Sequence, residues 1–486
     1  MSTNRHFLRD SIVFQGLNWM VKPLWIFLID REVQNFLGLE VYGKYLIHFN
    51  FTFLFIVLLD IGMHNYQTRQ VAENRGFLET GTPGLLWIKL LLSIFYLLFV
   101  WQAGLFNGLG SFWLLAIGIN QVLNSWILFF RSTLAGLHLF RIEAVISVLD
   151  RTLAGIGCGL FLFVPNLQPY FGLKEFVLFQ TVALTIGLLI VVGICIRKKA
   201  LLSIALPDFS KFKALFIANL PFAILTMIMN FYTRLDVIFI SHLRPETANF
   251  EAGIYAHSFR FLDAAGMYAM LFTGMLLPIF SRQLAQKEDF RSILKLVLKF
   301  VIIPGLWLVV MALQKGAEIM DLLYTTDNIE ETMYSAAVFT WLMASYLPMS
   351  VSLVLGSLLT ASNYIKSLIF ATSAALLILT VGCFVMVPTQ GALGAAKAVF
   401  ITQMSVMLFS VLLTKKYFPK PDTTNIVLMF KLVFIGVLIW LSAWALDEFL
   451  KVSLIWFSIV TLLITCLLTL AFKLFNLSQL KTLRRG

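Results

Sequence analysis

Apolar windows of about 20 residues, the length needed to cross a hydrocarbon core roughly 30 Å thick, recur along the whole chain with short polar gaps. Weighing these windows against loop signals predicts fourteen crossing helices, near 11–29, 46–63, 85–104, 109–131, 143–165, 176–196, 213–240, 252–280, 292–313, 334–360, 366–387, 391–414, 424–446 and 452–474. An even number puts both termini on one side. Of the 37 Lys and Arg residues, most of those outside the windows fall on that side, with Arg197, Lys198, Lys199, Lys211 and Lys213 the densest group and Arg484 and Arg485 near the end. The positive-inside rule then makes the termini cytoplasmic. The acidic stretch from Glu318 to Glu331 falls on the opposite side and reads as a short amphipathic surface helix.

Composition agrees with lipid as the solvent. Hydrophobic residues make up 59% of the 486 and charged residues only 13%, and no stretch is left over for a globular domain. The net charge of +12 does not point to nucleic acid, because the cations are scattered through loops and apolar segments without a basic run interleaved with aromatics. Cys158, Cys195, Cys383 and Cys466 lack metal-ligand spacing, so neither a metal site nor a disulfide is expected, and no cofactor. After the polar stretch Met1–Asp10, the first apolar segment carries Gln15, Asn18 and Lys22 and no small-residue cleavage site, which reads as a retained helix.

An internal repeat organises the helices. An offset of 213 residues sets Val41-Tyr42-Gly43 on Ile254-Tyr255-Ala256 and Thr68-Arg69-Gln70-Val71-Ala72 on Ser281-Arg282-Gln283-Leu284-Ala285, with no gap between the two matches. A second echo, offset by 225, sets Leu139-Phe140-Arg141 on Tyr364-Ile365-Lys366 and Gly157-Cys158 on Gly382-Cys383. Helices 1 and 2 thus pair with 7 and 8. Six helices separate them, so the halves share one orientation, as in transporters built from parallel repeats. The expected organisation is a six-helix lobe over 1–200, a second over 201–418, and helices 13 and 14 with a tail over 419–486.

Polar residues inside the crossings fall in stripes. Ser11, Gln15, Asn18 and Lys22 share one face of helix 1, and Asn219, Thr226, Asn230, Thr233 and Arg234 lie along its repeat partner, helix 7. Helix 4 carries Asn120, Asn124 and Arg131, helix 5 carries Glu143, Ser147, Asp150 and Arg151, and helix 8 places Arg260 three residues before Asp263. Isolated Asn and Ser residues can simply tie helices together. Charges are more costly in lipid, by about 2.5 to 3.5 kcal/mol on insertion scales, and mark wet or protein-facing surface. Lys89, Lys295, Lys299, Lys397 and Lys431 are further intramembrane cations, several within snorkelling reach of an interface. Together the cations outnumber the acids Asp60, Asp150, Asp236 and Asp263. Pro23 in helix 1 and Pro221 in the matching helix 7 can each kink or hinge their helix.

Gly38-Leu39-Glu40-Val41-Tyr42-Gly43-Lys44-Tyr45, Asp60-Ile61-Gly62, Thr68-Arg69-Gln70-Val71-Ala72 and Gly391-Ala392-Leu393-Gly394-Ala395-Ala396 together resemble the polysaccharide (O-antigen or capsule type) flippases of the multidrug, oligosaccharidyl-lipid and polysaccharide (MOP) exporter superfamily. The resemblance implies an all-α polytopic membrane protein of two six-helix lobes plus two C-terminal helices, arranged in a V around a cationic cavity. It further implies export of an undecaprenyl-pyrophosphate-linked oligosaccharide, with a polymerase and glycosyltransferases of the same pathway as companions. Pyrophosphate suits Arg and Lys, which assigns Lys22, Arg151, Arg234 and Arg260 to the headgroup. Gln15, Asn18, Asn124 and Asn230 suit the sugars. Asp60, Asp150, Asp236 and Asp263 are candidates to organise those cations or carry a coupling H+ or Na+. Alternatives are a multidrug antiporter, whose cationic drugs call for an acidic cavity, and a peptidoglycan-precursor flippase. A membrane glycosyltransferase, polymerase or ligase would need a larger external loop bearing catalytic residues, so an enzyme is not expected.

Overall fold

The computed structural model describes residues 20–198, 200, 209–326, 328–362, 364–418, 423–472 and 474. Ser11, Gln15, Asn18, Lys199, Asp327, Arg484 and Arg485 lie outside these residues, as do the side chains of Lys211, Lys213, Asn219 and Pro221.

The described chain is helical almost throughout. In order, the helices are α1 (20–37), α2 (39–54, continued beyond a break by Met63–Glu73), α3 (Thr82–Phe106), α4 (Ser111–Gly136), α5 (Phe140–Phe163), α6 (Leu173–Arg197), α7 (Phe209–Leu243), α8 (Ala248–Ala285), α9 (Arg291–Leu323), α10 (Ile329–Ala361), α11 (365–390), α12 (392–417), α13 (Thr423–Ala445) and α14 (Leu454–Ala471). Eleven segments are each long and apolar enough to cross a membrane, α11 and α12 counting together, and a pair bent by 52°, Met20–Leu54 with Ile56–Glu73, makes twelve. Dividing at Gly38 and Gly391 recovers fourteen helices. The chain is a multi-pass membrane protein.

Those two glycines make the reversals that hydropathy alone blurs. Gly38 has φ 75° and ψ 170°, a region essentially reserved for glycine. The Tyr42 hydroxyl, four residues on, reaches the Asp30 carboxylate at 2.9 Å. Twelve residues of unbroken helix would hold them about 18 Å apart, so the chain folds back at Gly38. Gly391 (φ 55°) does the same between α11 and α12, where a Cβ on Gly394 would lie 2.4 Å from the Met386 carbonyl oxygen. Tyr334 clasps this turn, donating to the Gln390 carbonyl at 2.9 Å.

By contacts the chain divides into Met1–Gly253 and Ile254–Gly486. In the first unit, α1 meets α5 where small residues permit close approach: Ile29 packs on Gly155 and Gly159, one turn apart, and Trp25 on Gly155. A Cβ on Gly43 of α2 would fall 1.8 Å from the Asn249 carbonyl oxygen, and one on Gly253 would fall 2.2 Å from that of Leu39, so α2 and the first turn of α8 touch backbone to backbone. In the second unit, α13 and α14 are fastened to α9. Ile303, Val310, Ile435, Ile439 and Phe457 form a shared apolar core, and Trp307 donates to Thr461 at 3.1 Å. Lys315, at a local break in α9, pairs with Glu318 and with Asp447 of the turn after α13.

Two expectations change. The acidic stretch from Glu318 to Glu331 forms no separate surface helix among the described residues: α9 runs on to Leu323, and α10 begins at Ile329 behind an N-cap in which the Asn328 side chain accepts from the Glu331 amide at 2.9 Å. Lys315 explains the extension, since it gives Glu318 a partner on the helix. Helix 1 also runs past 29, to 37, because its polar end is buried against protein.

One pair of helix starts meets the second offset. The helix Phe140–Phe163 and the helix at 365 begin at residues 225 apart, with Arg141 and Lys366 each in second place. Tyr42 and Tyr255, matched at the offset of 213, are both fully buried.

Candidate functional site

The first unit gathers charge where α1, α4 and α5 meet. Lys22 is partly buried and lies in the field of Arg151, Arg131 and Asp150. Trp25, three residues on, places its ring under the Arg151 guanidinium at 5.5 Å, and Arg151 Nε lies 3.5 Å from Asp150 Oδ2. Arg131 reaches across to Glu143 at 2.9 Å. The arrangement is three cations against two acids. Arg151 retains 45% of its side-chain surface, so its flat guanidinium, backed by an aromatic ring, can accept a phosphate in its plane.

A buried carboxylate that sequence reasoning missed lies on the same helix. Asp30 closes the π-helical turn Trp25–Asp30 and is almost completely buried. It accepts hydrogen bonds from the Tyr42 hydroxyl and from Gln34 Nε2 at 3.1 Å. Hydropathy ended helix 1 at 29, so Asp30 read as loop. The available signal was spacing: the stripe through Lys22 continues in steps of four through Ile26 to Asp30 and Gln34.

Asp60 occupies a different place. After α2 the chain forms a 3-10 turn, Ile56–Leu59, then two left-handed residues, Ile61 (φ 44°) and Gly62 (φ 83°). Asp60 Oδ1 accepts from the His64 amide at 3.2 Å and pairs with the His64 ring. Lys89, fully buried rather than snorkelling, donates to the Leu59 carbonyl at 2.8 Å and to Ser125 Oγ. The ammonium satisfies a carbonyl freed by the broken helix.

On α7, Arg234 lies over the Phe53 ring at 5.1 Å, and Asn230, one turn away, has a buried amide nitrogen with no hydrogen-bond partner in the structure. Asp236 is fully buried and accepts from the Val237 amide at 2.8 Å. Asn120 accepts from Thr181 at 2.7 Å, a tie between α4 and α6, whereas Asn124 is half-buried one turn further along α4. In the second unit Arg260 pairs with Asp263 at 3.7 Å across one turn of α8. The first unit thus brings Lys22, Asp150 and Arg151 together and keeps Asp60 apart with its own partners. Gln15 and Asn18 lie outside the described residues. Among the described residues, no group of three or more His, Cys, Asp or Glu side chains is placed to hold a metal ion.

Comparison with known proteins settles the family. The sequence profile described as "Polysaccharide biosynthesis protein" matches residues 27–284, more than half of the chain. The chain belongs to that family. Its matched region takes in the Gly38 reversal, the broken α2 and the charged cluster on α4 and α5. No curated protein sequence matches. The family member's fold is that of solved MOP transporters. A lipid II flippase, MurJ, in an inward closed conformation aligns over 95% of this chain and 98% of its own, at 16% identity and a TM-score of 0.70. A MOP superfamily transporter from Pyrococcus furiosus, whose binding pocket is described as of reverse polarity, aligns over 85% and 95%, at 11% identity and a TM-score of 0.61. An inward-facing multidrug resistance MATE transporter aligns over 83% and 94%, at 12% identity and a TM-score of 0.61.

Proposed function

We propose that this protein is a flippase that moves an undecaprenyl-pyrophosphate-linked oligosaccharide repeat unit across the bacterial inner membrane by alternating access, with both termini cytoplasmic, for O-antigen, capsule or exopolysaccharide synthesis. The observation that carries this reading is the cluster of Lys22, Arg131 and Arg151 on α1, α4 and α5 of a chain in the polysaccharide biosynthesis family. A cationic surface with an exposed guanidinium suits a pyrophosphate. It is a poor host for the cationic substrates of a multidrug antiporter.

In this reading Lys22, Arg151, Arg234 and Arg260 act on the pyrophosphate or its approach, and Gln15, Asn18, Asn124 and Asn230 on the sugars. Of the two that lie among the described residues, Asn230 has the buried amide nitrogen that would gain a partner when a sugar hydroxyl arrives. Asp150, Asp236, Asp263 and Asp60 organise the cations or carry a coupling H+ or Na+, and Asp30 joins them as a buried carboxylate on α1. The lobes proposed are 1–200 and 201–418, with 419–486 as an appended helix pair. A peptidoglycan-precursor flippase is the second reading, favoured by the full-length likeness to the lipid II flippase. The headgroup chemistry of the two is shared. Deleting the gene tests both: accumulation of lipid-linked repeat units with normal cell-wall synthesis supports the first, whereas arrest of wall synthesis supports the second. If neither effect appears, both readings fail.

A further inference from the structure

On one flank of the first unit, α5 and α6 leave an open groove of about 310 Å³, lined by Arg141, Ile142, Val145, Leu149, Ile190 and Ile194 among others. Its walls are aliphatic except at one end. There stands Arg141, exposed, the second residue of α5, where the helix dipole disfavours a cation. Ile194 of α6 lines the same groove, and three residues beyond it along that helix comes Arg197, followed by Lys198, both exposed. From Ile142 to Leu149 the groove runs about 10 Å along the helix axis. Val145, in the middle, keeps 56% of its surface on a helix apolar enough to cross a membrane, so the groove opens toward lipid.

We propose that this groove is a binding site for an anionic glycerophospholipid, its phosphate held by Arg141 with Arg197 and Lys198 and one acyl chain lying along Ile142, Val145, Leu149, Ile190 and Ile194. The shape calls for an amphiphile: free phosphate has no use for an aliphatic floor, and an uncharged lipid has no use for three cations. It also argues against the transport substrate. The lining offers no Asn, Gln, Ser or Thr to read a sugar, so the occupant is a lipid whose recognised head is the phosphate alone. The site does not depend on the substrate proposed above, since the Lys22 and Arg151 cluster belongs to other helix faces.

Topology alone would also place cations at this end, and the test separates the two roles. Purified full-length protein is titrated with phosphatidylglycerol, phosphatidylcholine and a polyprenyl phosphate, and the retained lipid is counted by native mass spectrometry. Phosphatidylglycerol is expected to be held preferentially, and Arg141→Gln to reduce that preference about five-fold, as follows from removing one basic side chain beside an anionic headgroup. Val145→Trp fills the groove without altering charge and is expected to reduce retention as well, while Arg69→Gln, an exposed cation elsewhere, leaves it unchanged. Equal retention of the two lipids, full retention by Val145→Trp, or a preference for polyprenyl phosphate over phosphatidylglycerol would overturn the proposal.

Discussion

The Tyr42 hydroxyl lies 2.9 and 3.0 Å from the two carboxylate oxygens of Asp30, joining two helices that reverse at Gly38. Both residues are almost fully buried, so the bond closes the hairpin and solvates the carboxylate in place of water. Tyr42→Phe removes one donor from a buried charge and is expected to cost about 1–3 kcal/mol. Asp30→Asn keeps the shape with less desolvation and is expected to cost less. Thermal unfolding of the detergent-purified variants, in that order of stability, checks the relationship.

Gly38→Ala and Gly43→Ala should both destabilise, for different reasons. No atom approaches the position of a Cβ on Gly38, so its cost is purely the backbone region it occupies, about 1–3 kcal/mol. Gly43 is helical and unstrained, but its Cβ would collide with a backbone carbonyl that cannot move without parting α2 from α8. Gly193→Ala, with open space around it, is the matched control and is expected to leave the yield of folded protein unchanged.

Lys89→Met tests the break in α2. The substitution conserves much of the apolar volume but removes the donors to the Leu59 carbonyl and Ser125 and a cation whose field reaches Asp60. A loss of about 1–3 kcal/mol is expected for groups left unsatisfied in the protein interior. Wild-type unfolding of this variant would mean that water reaches the break.

Much of the fold was legible because lipid imposes a length on every crossing. Fourteen windows became fourteen helices, and Gly38, Gly62 and Gly391, singled out within motifs, proved to stand at the reversals and the break. Helix ends were less legible where tertiary burial overrides hydropathy: Asp30 extends α1 past 29 by bonding to Tyr42 of α2, and Lys315 supports the extension of α9 by pairing with Glu318 on that helix and with Asp447 in the turn after α13. The charged cluster was half legible. Stripe spacing placed Lys22, Asp150 and Arg151 on their helix faces, but their meeting depends on Gly155 and Gly159 admitting α1, and the pairing of Arg131 with Glu143 crosses two helices. Neither follows from periodicity within one segment.

Charge at the cluster should govern transport without governing stability. Arg151 is nearly half exposed and lies over the Trp25 ring, so Arg151→Gln is expected to unfold like wild type, within about 0.5 kcal/mol as for other surface substitutions. Arg151→Lys keeps the charge but loses the planar fork, and partial transport is the expected result.

The decisive measurement is translocation of a polyprenyl-pyrophosphate oligosaccharide in vesicles reconstituted with wild-type protein or with the folded Lys22→Gln/Arg151→Gln variant, read as the fraction of sugar that becomes accessible to an external lectin. Rapid exposure with wild type and near-background exposure with the double variant is the expected outcome. Equal exposure by the two proteins would contradict a role for this cationic cluster in moving the headgroup.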